Sequence, residues 1–253
     1  MNLVKKKLEQ GQPTIGTWLQ LPNVSVAEII AQSGYDWVAI DLEHGSFSLE
    51  ILSLICLALE QGNTVPFARI AQIQQKDIKQ ALDAGVKGLI LPMICSSDEL
   101  KNAISWACYP PYGTRGVGYS RANLFGKNFN QCVPESSRDL VLIAQIEHIR
   151  AVEALDEILS VNGLDGIIVG PYDLSASMQL TARFDHPDFI SAIEKIEEKA
   201  KQYRIPMGIH IVQPDPEILQ KKIKEGYQFI AYGIDAVFLY RASECPLKDK
   251  QDN

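Results

Sequence analysis

The residues best able to do chemistry stand where apolar runs end. Asp41-Leu42-Glu43-His44-Gly45 closes the run Trp37-Val38-Ala39-Ile40. Three further runs end in polar groups. Residues 64–70 carry Arg69, 140–146 lead into Glu147, and 165–169 lead into Gly170-Pro171-Tyr172-Asp173. Charge at the end of a buried strand is costly unless it is paired or put to use. Four such ends predict one shared rim.

Glu147 and Asp173 close neighbouring predicted strands, the fifth and sixth. Their carboxylates repel unless a cation sits between them, and as hard oxygen donors they suit Mg²⁺ or Mn²⁺. The alternative is that one of them is salt-bridged within the fold. The Gly170-Pro171 turn either exposes the amides of Tyr172 and Asp173 to a carboxylate or simply ends a strand. His44, with an unperturbed pKa of about 6.5, suits proton transfer. Asp41, three residues upstream, is placed to orient its ring. The competing reading is a core histidine satisfied by a backbone carbonyl, which suits His148 and His210 better. Arg69 stabilises an oxyanion or enolate, or forms an ion pair with Glu43 or Asp41. No predicted strand ends in lysine, which argues against imine chemistry and for polarisation by a metal. A glycine-rich phosphate cradle is also missing, which favours an unphosphorylated substrate.

The elements that must position these groups alternate along the chain. Strands are predicted at 14–19, 36–42, 64–70, 88–92, 140–147, 165–169, 206–212 and 228–233. Amphipathic helices fall between them at 25–33, 49–60, 75–84, 97–107, 149–159, 187–203 and 214–225, and Ser96-Ser97-Asp98-Glu99 signals a helix start. About eight βα units in 253 residues match one TIM (β/α)8 barrel. A doubly wound sheet is weakened by the lack of GxGxxG after the first strand. Catalytic groups of a barrel collect at the C-terminal strand ends, where Asp41, Glu43, His44, Arg69, Glu147 and Asp173 all map. Segment 109–138, rich in proline and glycine, breaks the rhythm. It reads as a long loop on the C-terminal side, acting as a lid or an interface arm. The polar tail 246–253 reads as frayed.

Bulk properties bound the function. A net charge of −7 argues against a nucleic-acid partner. Lys5, Lys6 and Lys7 read as a solvated helix end. The chain shows no membrane-length apolar run and no signal-peptide core, so a cytoplasmic protein with no membrane partner is expected. Five scattered cysteines without CxxC exclude a disulfide framework or zinc knuckle, and Cys95 reads as a buried thiol.

In combination and order these motifs resemble the HpcH/HpaI aldolase family of metal-dependent pyruvate aldolases. The likeness spans nearly the whole chain. It covers Gly16-Thr17-Trp18, residues 34–45, Arg69, Leu82-Asp83-Ala84-Gly85, Tyr109 to Gly116, Gln145-Ile146-Glu147 and Gly170 to Ser175. The resemblance implies a TIM barrel and a homo-oligomer, trimeric or hexameric. It implies a divalent cation (Mg²⁺ or Mn²⁺, with Co²⁺ a further option) on Glu147 and Asp173. Pyruvate chelates that cation, and its carboxylate meets the turn at Gly170, Tyr172 and Asp173. His44, oriented by Asp41, serves as base through a water, and Arg69 stabilises the enolate. Trp18 and Gln145 line the substrate pocket, Glu43 supports the site from behind, and Asp83 reaches a neighbouring subunit's site. The implied reaction is cleavage of a 4-hydroxy-2-oxo acid to pyruvate and an aldehyde, or the reverse addition. Oxaloacetate decarboxylation or a citrate-synthase-like condensation uses the same core, and a non-catalytic oxo-acid-binding barrel is the remote alternative. The chain departs from the pattern at His148, at Ser175 to Gln179, and in a short segment after Asp235.

Overall fold

The computed structural model describes residues 2–245, so the tail reading for 246–253 lies outside the described residues. Eight parallel strands form a closed barrel in sequence order: β1 (Thr14–Leu19), β2 (Trp37–Asp41), β3 (Val65–Arg69), β4 (Gly88–Leu91), β5 (Val141–Ile146), β6 (Gly166–Val169), β7 (Met207–Ile211) and β8 (Phe229–Ile234). β8 closes on β1, where the register shifts between Gly16 and Trp18. The strands are apolar on both faces because helices cover the outside and side chains fill the inside.

Strand periodicity sorts the two cores. Trp37 and Ala39 of β2, Phe67 of β3, Val141 and Ile143 of β5, and Ile168 of β6 point into the barrel. Their even-numbered neighbours on β2 and β3, Val38, Ile40 and Ala68, pack outward under the helices. The inward row carries two residues per step, so it continues at the strand ends into Asp41, Arg69, Gln145 and Glu147, and Gly170. That parity is why those positions face the mouth. At the opposite end Trp37 stacks on Phe229 at 4.0 Å with rings 3° apart, and Phe67 lies 5.5 Å from both. Gly16 is required there, since a Cβ would meet the Trp37 ring at 2.0 Å.

A first helix, α1 (Leu3–Glu9), plugs this lower end with Val4 and Leu8. The basic run is therefore not simply solvated. Lys5 pairs with Asp165 at 3.1 Å and Lys7 with Asp36 at 2.5 Å, while Lys6 faces solvent. The helices that follow are α2 (Val24–Ala31), α3 (Leu49–Gln61), α4 (Gln75–Ala84) and α5 (Ser97–Ala107). α5 starts where expected, with the Ser96 hydroxyl accepting from the Glu99 amide at 3.3 Å.

Segment 109–138 corrects the sequence reading. It follows α5 and leads into β5, so it connects the lower ends of those elements and cannot cover its own barrel mouth. Part of it is ordered as a 3-10 turn over Arg121–Gly126 and as α6 (Phe129–Asp139), which accommodates Pro134. Polar anchors hold it down: Arg121 to Glu60, Arg115 to Asp83 at 2.7 Å, and the Tyr109 amide to the Ser137 hydroxyl at 3.2 Å.

The expected helix 149–159 is two short ones, α7 (Ile149–Glu153) and α8 (Leu155–Leu159), broken at Ala154. Then come α9 (Pro171–Ser177), α10 (Pro187–Tyr203), α11 (Pro216–Lys224) and α12 (Asp235–Ala242). Both α9 and α12 were missing from the sequence reading because each is about two turns long, too short for a clear period. Among the described residues no helix is long and apolar enough to cross a membrane.

Candidate active site

The register of β2 against β3 sets Asp41 beside Arg69. The pair is bidentate: Arg69 Nε donates to Asp41 Oδ1 at 2.9 Å and Nη2 to Oδ2 at 2.7 Å. Asp41 is fully buried and also accepts from Gln20 Nε2 at 2.9 Å and from the amides of Glu43 and His44. Burial works to raise its pKa, but the Arg69 guanidinium and the other donors win and hold it below the usual carboxylate range. Glu43 Oε2 lies 3.1 Å from Arg69 Nε, and the guanidinium sits 4.5 Å above the Trp18 ring. Both ion-pair partners foreseen for Arg69 are thus present. Its Nη1 makes no hydrogen bond among the described residues.

The geometry corrects the expected role of Asp41 toward His44. Asp41 holds His44 through the backbone amide at 3.3 Å, while its oxygens are committed to Arg69 and Gln20. The His44 ring is exposed, lines the cavity at the barrel mouth, and makes no hydrogen bond among the described residues.

Glu147 is 2% exposed. Its Oε1 accepts the Met93 amide at 2.6 Å and its Oε2 the Gln145 side-chain amide at 2.5 Å. Burial, helped by the negative charges of Glu43 and Asp173, pushes its carboxyl up to about 7 despite those bonds. Gly170 makes room for this arrangement. A Cβ there would come within 2.7 Å of Glu147 Oε2 and 3.0 Å of Gln145 Nε2. Asp173 is exposed in the first turn of α9. The Leu174 amide is the first in α9 to bond back, to Gly170 O at 3.0 Å, so the amides of Tyr172 and Asp173 remain first-turn donors.

No group of three His, Cys, Asp or Glu among the described residues could hold a metal ion. Glu147 and Asp173 would be the two carboxylates offered to a divalent cation, with the remaining positions left to water or substrate oxygens, as Mg²⁺ commonly prefers. The residues fit such a cation. Glu147 is a buried carboxylate destabilised by like charge, and Gln145 Oε1 is buried beside it without a hydrogen-bond partner.

A cavity of about 260 Å³ opens above these groups. Trp18, Gln20, His44, Arg69, Gln145, Tyr172, Asp173 and His210 line it. Asp83 is not among them. It ends α4 at the opposite face of the barrel and pairs with Arg115. His148 is neither a core residue nor a carbonyl donor; its Nδ1 accepts the Arg150 amide and caps α7. His210 does meet a backbone carbonyl, that of Gly233, at 3.2 Å. Cys95 is buried as expected, and burial raises its thiol pKa.

Sequence reasoning missed three contributors. Gln20 follows β1 and reads as an ordinary polar end. Met93 acts through its backbone, in the left-handed region at φ 52°, where its side chain gives no signal. His210 reached the cavity although its sequence context suggested only a satisfied histidine.

A parallel (β/α)8 barrel collects a paired guanidinium, a free imidazole and the carboxylates of Glu147 and Asp173 at its C-terminal mouth, where barrel enzymes place their active sites. The comparisons make that specific. The chain matches the HpcH/HpaI aldolase/citrate lyase family over residues 14–242. It is 36% identical over 238 residues to 2-keto-3-deoxy-L-rhamnonate aldolase of Escherichia coli O157:H7, covering 93% of this chain and 88% of that one. A crystal structure of an HpcH/HpaI aldolase/citrate lyase family protein from Burkholderia cenocepacia J2315 superposes with a TM-score of 0.90 at 30% identity, covering 96% of each chain. The citrate synthase SbnG superposes with a TM-score of 0.82 at 27% identity, covering 94% of this chain and 93% of that one. The chain belongs to the HpcH/HpaI aldolase/citrate lyase family. It is a class II aldolase-type lyase, carrying out aldol cleavage or condensation.

Proposed function

We propose that the protein cleaves a 4-hydroxy-2-oxo acid to pyruvate and an aldehyde, and catalyses the reverse addition, through the pyruvate enolate. The observation that carries this reading is the buried Glu147 carboxylate, fixed by the Met93 amide and Gln145 next to Asp173 at the barrel mouth. Glu147 and Asp173 would hold Mg²⁺ or Mn²⁺, which supplies Lewis acidity toward the keto oxygen when bound. The amides of Tyr172 and Asp173 receive the oxo-acid carboxylate. The free His44 imidazole takes the methyl proton. Arg69, immobilised by Asp41 and stacked on Trp18, directs its uncommitted Nη1 at the developing oxyanion.

The test is deuterium exchange into the pyruvate methyl group in D₂O, followed by NMR without any aldehyde. Metal-dependent exchange that vanishes with chelator supports the reading. Folded, metal-loaded protein that leaves the methyl protons in place refutes it.

The similarity to SbnG brings in a second reading, a condensing enzyme with a dicarboxylic oxo-acid acceptor. The cavity favours it less, since Arg69 is the only Arg or Lys among the described residues lining it and is already paired. A homo-oligomer, trimer or hexamer, is supported by apolar exposure at Ile29, Leu54 and Leu57 of α2 and α3 and at Tyr119 and Phe125 of the lower arm. Light scattering on the eluting protein reads that state directly. In such an assembly Asp83, at the lower face, is placed to meet another subunit rather than its own site.

A further inference from the structure

Asp235 is a buried carboxylate that the proposed reaction does not use. It opens α12, is 4% exposed, and pairs with no cation among the described residues. An anion held this far from water is costly unless hydrogen bonds replace its hydration. Main-chain amides do so here. Oδ1 accepts from Gln20 N at 2.9 Å and from Ala236 N at 2.8 Å, and Oδ2 accepts from Leu21 N at 2.8 Å. The last helix is thereby tied to the residues just past β1. A bulge brings the two together. Gly16 pairs with Ala231 but Trp18 with Ile234, so β8 runs one residue longer than β1 across this stretch, and Gly233 takes φ 72° within it.

The tie leads to the active site. Pairing of Leu19 with Ile40 sets Gln20 level with Asp41 on the neighbouring strand. Asp235 fixes the Gln20 backbone, and the Gln20 side chain reaches across so that Nε2 donates to Asp41 Oδ2 at 2.9 Å. A carboxylate only accepts, so it is the NH₂ group of Gln20 that faces Asp41. That donor matters because of how Asp41 is held. Oδ1 has Arg69 Nε and the amides of Glu43 and His44. Oδ2 has only Arg69 Nη2 and Gln20. Without Gln20, Oδ2 is held by Arg69 alone, and the carboxylate plane follows the guanidinium instead of fixing it.

We propose that Gln20 is a positioning residue for Arg69: set in place by Asp235, its amide fixes the Asp41 carboxylate and so the direction in which Arg69 Nη1 points. This rests on the reading of Arg69 as the group that stabilises the developing oxyanion. Glu147 follows β5 and Asp173 lies in α9, outside this chain of contacts, so metal binding is independent of it.

The experiment measures pyruvate methyl exchange in D₂O, as kcat and pyruvate KM, with the Mn²⁺-loaded full chain, for wild type, Gln20→Met, Gln20→Glu and Asp235→Asn. Mn²⁺ affinity is titrated on the same proteins. Gln20→Met keeps the length of the side chain and loses the donor. Gln20→Glu keeps an oxygen toward the cavity but sets a carboxylate against Asp41. The expected result is a kcat about tenfold lower in Gln20→Met and at least as low in Gln20→Glu, with pyruvate KM and Mn²⁺ affinity within about twofold of wild type. In Arg69→Lys, which cannot form the bidentate pair, Gln20→Met should have almost no further effect, because changes acting through one group are not additive. Asp235→Asn replaces an accepting oxygen with a donor, and should lower kcat in the presence of Gln20 but not in Gln20→Met.

The proposal is overturned if Gln20→Met keeps the wild-type kcat, or if its loss is equally large in Arg69→Lys. A raised KM with kcat intact also overturns it, since that marks a residue binding substrate directly. Equal losses from Asp235→Asn with and without Gln20 refute the link to Asp235. Gln20 is half-buried at the cavity edge, so its variants decide the matter even if Asp235→Asn does not fold. Wild-type protein that exchanges no methyl protons sinks the aldolase reading along with this proposal, whereas exchange indifferent to Gln20→Met sinks the proposal alone.

Discussion

Replacing Gly170 by alanine tests whether the space beside Glu147 is what holds that carboxylate in place. Gly170 has φ −98°, a backbone conformation open to alanine, so any effect comes from packing. The added Cβ would stand 2.7 Å from Glu147 Oε2, 2.8 Å from Glu147 Cβ and 3.0 Å from Gln145 Nε2. Carbon and oxygen in van der Waals contact need roughly half an ångström more than the shortest of these, so the carboxylate or the β6 end must shift. Such a shift lengthens the 2.5 Å and 2.6 Å bonds that Glu147 accepts. Losing one hydrogen bond to a charged group costs about 1.5–3 kcal/mol. If that loss falls on the ligand, Mn²⁺ affinity drops on the order of 10–100-fold, as disturbed supporting shells do. Overpacking itself lowers stability by about 1–3 kcal/mol. Calorimetric Mn²⁺ titration and urea unfolding of the same preparation give both quantities. Wild-type Mn²⁺ affinity in a folded Gly170→Ala protein would show that Glu147 is not positioned by this gap, or that it is not a ligand.

Other expectations follow from the same geometry. Met93→Ile puts a β-branched residue at φ 52°, which disfavours that backbone by about 1–2 kcal/mol; Mn²⁺ affinity should fall, while Met93→Gly retains it, as titration of both would show. His44→Ala should bind Mn²⁺ normally yet exchange pyruvate protons about 10²–10⁴-fold more slowly; exchange at the wild-type rate removes His44 as the base. The fourth concerns pH. His210 is lowered from 6.5 to about 4, mainly by burial, so between those values the unfolded chain binds more protons than the folded one. Stability must therefore decline as pH falls through that window and be unaffected by His210 above it. Urea midpoints from pH 8 to 4 should show a component of the decline that His210→Leu lacks.

Much of the architecture was legible because it rests on local pattern. Apolar runs of strand length alternate with amphipathic helices, and residues such as Ser96 mark the helix starts. Hence all eight strands fell within a residue or two of their observed bounds. Position at the C-terminal strand ends also mapped Asp41, Arg69 and Glu147 to one mouth, while Gln145 was reached only through the family resemblance. The short elements were not legible. α9 and α12 have too few turns to show a period, and α6 contains Pro134, which reads as a breaker.

What the sequence determined by itself was the inventory: a barrel of eight βα units, the acids, imidazole and guanidinium on its rim, and no lysine there for imine chemistry. Tertiary structure alone decided how those groups are paired. Register between β2 and β3 gave Asp41 to Arg69 instead of to the His44 ring. The left-handed turn at Met93 aimed a main-chain amide at Glu147, and a main-chain group has no letter in the sequence. The path of α5 sent segment 109–138 to the lower face, away from the site it was expected to cover. Residue type sets what a group can do, but its partner depends on distances between elements far apart in the chain, and those exist only once the barrel has closed.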